Sequence, residues 1–92
     1  MNATPQDLSS SHGHHALHLR PINAVVFGVH GSDGQHLGNL KRVGAVWKFK
    51  AVGHDPSGQL EPGGGPLTQG HNTVFAEPDT AALNLALAPL LA

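Results

Sequence analysis

The chain has no cysteine. A disulfide framework and a thiolate metal site are therefore both excluded, and a cysteine-free chain suits the reducing cytoplasm, the expected location. Aromatic residues are few: one Trp, three Phe and no Tyr in 92 residues. Charge is sparse as well. Five basic residues face six acidic ones for a formal net charge of −1, so no global field draws the molecule to nucleic acid or an anionic bilayer. No apolar run is long enough for a membrane span, because the greasiest stretch, residues 81–92, is short and carries Asn84 and Pro89. Met1 is not followed by basic residues and a long apolar run, so no signal peptide is expected. The hydrolase elbow G-x-S-x-G is missing, as are the dinucleotide fingerprint G-x-G-x-x-G and the Gly-Lys-Ser/Thr of a nucleotide loop. Those three chemistries drop out with their motifs.

The length fits one small domain. Residues 1–20 are rich in Ser and His, and their few apolar residues have no period. This reads as a disordered arm, leaving 21–92 as a single α+β domain. His14 and His18 have i, i+4 spacing and on a helix would share a face and a metal ion. Gly13 and the serines disfavour that helix, so the arm is expected to be solvated, with at most adventitious zinc or nickel binding.

Residues 38–55 organise the rest. From Ala45 the pattern alternates: Ala45, Trp47, Phe49 and Ala51 on one side, Val46, Lys48, Lys50 and Val52 on the other. A period of two marks a strand with one buried and one wet face. Residues 22–29 form a β-branched apolar run, expected as one strand, with a hairpin turn at 30–35. Residues 37–42 and 45–52 make the next hairpin. A three-residue loop of Arg42, Val43 and Gly44 pairs Leu37 with Phe49; a two-residue loop of Val43 and Gly44 pairs Leu40 with Trp47. The first is favoured, since Gly44 alone then takes positive φ. Residues 59–61 could add a short edge strand, the Gly63–Gly65 run reads as a flexible turn, and residues 73–76 read as the last strand. Pro78 suits the first position of a helix and Asp79 its positive end. Ala82, Leu83, Ala86, Leu87 and Leu90 form its apolar stripe, with Leu85 and Leu91 off it. The expected fold is a three- to four-stranded antiparallel sheet with the C-terminal helix packed on one face. Trp47, Phe49, Phe75, Leu83 and Leu87 form its core.

The order strand, strand, strand, helix, with Phe75-x-x-Pro78-Asp79-x-Ala81 leading into the helix, resembles the plant ethylene-response-factor DNA-binding domain across residues 38–88. The resemblance implies a sheet entering the major groove with a helix behind it. That family reads DNA with several arginines on the sheet, whereas here only Arg42 is available.

Four of the five basic residues, Lys41, Arg42, Lys48 and Lys50, fall within ten positions that contain no acid. They are the expected partner-binding residues of a non-enzymatic module whose wet sheet face contacts an anionic partner, an acidic protein surface or nucleic acid. No cofactor, metal or catalytic residue is assigned. The alternative is a metal-binding protein or small enzyme using the loop histidines His30, His54 and His71, whose convergence spacing does not decide. A leucine-rich end and a free edge strand also make a homodimer an expectation.

Overall fold

A computed structural model of the protein describes residues 16–91. Six antiparallel strands form the sheet: β1 (Leu17–Asn23), β2 (Val26–Gly31), β3 (His36–Val43), β4 (Val46–His54), β5 (Leu60–Pro62) and β6 (Val74–Phe75). Among the described residues there is one α-helix, α1 (Thr80–Leu87), with short 3-10 turns at Thr68–Gly70 and Ala88–Leu91. The α+β class with a C-terminal helix stands, but the sheet is larger than three to four strands. Strands β1 to β4 form a meander, and β5 and β6 both attach to the far edge of β4. No helix among the described residues is long and apolar enough to cross a membrane.

The extra strands come from two places. β1 begins at Leu17, inside the stretch read as an arm, where Leu17 and Leu19 alternate with His18 and Arg20. Leu17 is 1% exposed, so a brief period-two signal beside a Ser- and His-rich run carries a core residue. His18 lies on this strand rather than on a helix, and residues 1–15 lie outside the described residues. The apolar run 22–29 is not one strand but a hairpin turning at Ala24 and Val25. Asn23 makes the turn by accepting the Val25 N–H on its Oδ1 at 2.9 Å.

The β3–β4 hairpin takes neither expected register. Leu40 pairs with Phe49 and Val43 with Val46, so the loop is Gly44 and Ala45. Gly44 has φ +63 and Ala45 does not share that sign, the Gly-first pattern of a two-residue hairpin turn. This spares Val43 the left-handed region that the two-residue loop of Val43 and Gly44 would have required of it.

The Gly63–Gly65 run is a packed corner. Gly65 has φ +85, and a side chain there would strike the Val52 carbonyl oxygen. A side chain at Gly53 would come within 2.6 Å of the Gly65 nitrogen. Two backbones cross at this point with no space for a β-carbon.

One face of the sheet carries the core. Val29, Leu37, Leu40, Phe49, Ala51 and Phe75 pack there against Leu67, Leu83 and Leu87. Trp47 is only half-buried and meets Phe27 edge-on, with ring centroids 5.5 Å apart. Asp79 rather than Pro78 starts the helix: its Oδ1 accepts the Ala81 N–H at 2.9 Å. Leu85 is 83% exposed, while Leu91 packs against the core.

Asn84 binds the helix to the sheet edge. Its Oδ1 accepts the Leu17 N–H at 2.7 Å and its Nδ2 donates to the Leu17 carbonyl at 2.9 Å. The amide side chain thus fills the place of a neighbouring strand beside β1. Pro21, two steps of the pleat further along, has no N–H to offer a partner.

Candidate functional site

The face opposite the helix is built from three cross-strand rows. Residues directly paired in an antiparallel sheet lie on the same face, so the register defines each row. The first runs Arg20, Gly28, Asn39, Lys50. The second runs Val26, Lys41, Lys48, Val74. The third joins His18 to His30 and His30 to His36, and the His36 ring lies 6.4 Å from that of His54.

Of the expected binding residues, Lys41, Lys48 and Lys50 therefore share this face. Arg42 does not: it pairs with Trp47 on the helix side, and its Nε donates to the Gly44 carbonyl at 3.2 Å. Lys41 is exposed, whereas Lys48 and Lys50 are half-buried. Lys50 Nζ donates to Asn72 Oδ1, and Asn72 sits at φ +75. Lys41 and Lys48 stand directly opposite each other. Arg20 on β1, outside the expected set, is the fourth cation of the face. Among the described residues no carboxylate occupies these rows; Asp33 and Asp55 lie in turns, Glu61 pairs with Gly53, and Asp79 caps the helix. Asp55 collects hydrogen bonds from the Ser57 hydroxyl and from the backbone of Gln59, Ser57 and Gly58, which hold its carboxyl below the usual carboxylate range.

The histidine row depends on a β-bulge. Val29 pairs with Gly38, yet His30 pairs with His36, so Leu37 has no opposite residue. Strict alternation from Gly38 would turn His36 toward the core. The extra residue instead sends Leu37 inward, 3% exposed, and keeps His36 beside His30. The His30 and His36 ring centroids are 5.1 Å apart. His30 Nδ1 faces the Gly34 carbonyl at 3.3 Å and His36 Nε2 faces Asn39 Oδ1 at 3.0 Å. Both partners are acceptors only, so each of those nitrogens carries the ring proton. His30 Nε2 and His36 Nδ1 are left with free lone pairs. Gly28 leaves space for the His30 ring, whose Nε2 would lie 2.9 Å from a β-carbon there.

The loop histidines thus separate. His30 and His54 flank His36, which the sequence did not single out. His71 serves the opposite edge of β4, accepting the Ala51 N–H on its Nδ1 at 3.0 Å. Comparison of the chain with protein-family models, curated proteins and solved structures gives no match.

Proposed function

We propose that the protein is a non-enzymatic binding module whose outer sheet face takes up an acidic segment of a protein partner. The observation that carries this reading is the pairing of Lys41 with Lys48, one row away from Arg20 and Lys50. Like charges directly opposite each other across strands cost stability. A face that holds them, with no carboxylate in the rows, is suited to an anionic visitor. Ile22, Val43 and Val74 are exposed beside the lysines, and aliphatic side chains of a protein partner can pack there. Nucleic acid fits less well. Trp47, Phe27, Phe49 and Phe75 belong to the other face, so the lysine face offers no Trp, Phe or Tyr ring for base stacking. A cysteine-free chain is compatible with work in the cytoplasm.

The test uses poly-L-glutamate and a DNA oligomer of equal charge, with the parent and Lys41→Glu/Lys48→Glu. The parent is expected to bind poly-L-glutamate at low salt, and the double variant to lose that binding while staying folded. The single change Lys41→Glu creates an ion pair with Lys48 and should raise stability by about 0.2–1 kcal/mol while weakening association. Equal binding by parent and double variant would defeat the proposal. Preference of the parent for DNA would replace the protein partner by a nucleic acid.

A further inference from the structure

We infer that the outer face holds a carboxylate subsite over Gly28, where Arg20, Asn39 and a doubly protonated His30 grip one acidic side chain of the partner. The inference rests on the acidic-partner reading, and it adds the residues that take a carboxylate and a dependence on pH.

Register places the donors. Arg20 and Asn39 pair with Gly28 from its two sides, so their backbones stand about 10 Å apart, across two strand spacings. Gly28 puts no side chain between them. The edge of the His30 ring lies there instead, with Nε2 at 2.9 Å from where a β-carbon of Gly28 would be. A carboxylate seated at this edge has a hydrogen-bonding group on either side and the ring nitrogen facing it. An open depression lined by His18, Arg20, His30 and Asp33 among others leads to it from solvent.

Each group is available. Arg20 is exposed, and its guanidinium has no partner among the described residues. Asn39 Oδ1 accepts the His36 Nε2–H, which leaves Asn39 Nδ2 to donate. The bulge at Leu37 gains a purpose here, since it keeps His36 on this face to hold the amide that way round. His30 Nδ1 already donates to the Gly34 carbonyl. Its Nε2 therefore presents a lone pair in the neutral ring, which repels a carboxylate, and an N–H once the ring is charged, which binds one. The charged and titratable groups around the ring are His18 and Arg20 on β1, His36 on β3, Lys50 beyond Asn39, and Asp33 in the turn. Only Asp33 is anionic, and its Oδ1 accepts the Gln35 N–H. A visiting carboxylate among these cations is favoured most when His30 carries its second proton. Histidine changes charge between about pH 5 and 8, so the subsite strengthens in mild acid.

Binding of poly-L-glutamate to the full chain is measured at low salt at about pH 8 and about pH 6, a span over which histidine gains charge while glutamate stays ionised. Parent affinity should rise several-fold toward the acid end. His30→Gln should lose most of that rise while matching the parent at about pH 8, and Arg20→Gln should weaken binding at both. A His30→Gln profile that matches the parent's, or parental affinity in Arg20→Gln, overturns the subsite and leaves the lysine pair as the binding element. No binding by the parent at either pH defeats the acidic-partner reading instead, and the subsite with it. Should a variant fail to fold, the parent's histidine ring NMR signals decide. Linked binding is reciprocal, so poly-L-glutamate should raise the pH at which the His30 ring titrates, and raise it more than for His54. A His30 shift no larger than that of His54 overturns the subsite.

Discussion

The Ala51 N–H donates to His71 Nδ1, so that ring keeps its proton on Nε2. The bond lies in a gap along the edge of β4. Phe49 exchanges bonds with Thr73 and Asn72 just before it, and the Ala51 carbonyl accepts the Gly63 N–H just after it. One imidazole completes an edge that β5 and β6 leave open between them. His71→Ala should therefore lower stability by about 1–3 kcal/mol, the range for a polar group left unsatisfied in a partly buried place. His71→Gln, with a carbonyl oxygen to offer, should recover part of the loss. Urea unfolding of the two variants checks this, and identical midpoints for parent and His71→Ala would refute it. At this scale the sequence was only partly legible. His71 followed by Asn72 reads as a turn, and Asn72 does take the left-handed conformation. Nothing in the spacing of His71 shows that its ring reaches twenty residues back to Ala51.

Among the elements, β1 is the long strand with an unpaired side, and α1 covers part of it. Asn84→Ala withdraws the two bonds to Leu17 and leaves both backbone groups without their partner. Stability should fall by about 1–3 kcal/mol, and the variant should self-associate more readily because a strand edge is open to pairing. Thermal unfolding and sedimentation velocity measure the two effects. A monomer of parental stability would show that the amide bridge does nothing. A homodimer joined along β1 would have to displace the same bridge. The elements themselves were unequally legible. Alternation identified β4 because a long strand with one wet face repeats the signal, and the helix declared itself through Pro78, Asp79 and the leucine spacing. β1 and the turn after Asn23 stayed hidden, since Leu17 and Leu19 form too short a pattern and a single Asn interrupts a β-branched run. The bulge at Leu37 could not be read either, because it depends on what β2 presents opposite. That bulge decides whether His36 belongs to the core or to the candidate site.

For the molecule as a whole, charge is separated while the net value stays near neutral. Four cations share one face, and the described carboxylates lie in turns, on β5 and beside the helix. A near-neutral protein of this kind meets an acidic partner in a preferred orientation, and salt weakens that preference. The association rate with poly-L-glutamate should fall steeply between 20 and 200 mM salt, about the range over which screening becomes strong, while the dissociation rate changes little. Stopped-flow mixing separates the two rates, and a salt-independent association rate would contradict the electrostatic picture. The bridge between Leu17 and Asn84 has a consequence for how the fold opens. It joins residues 67 apart in the chain, whereas the meander of β1 to β4 pairs neighbouring strands. Contacts of such long range close late in folding, so docking of α1 follows formation of the hairpins. A contact made last is among the first released in partial opening. When α1 lifts, it uncovers the core leucines and the edge of β1 in one event. A nearly complete sheet without its helix would therefore expose core leucines and a pairing edge together, the two features that favour aggregation.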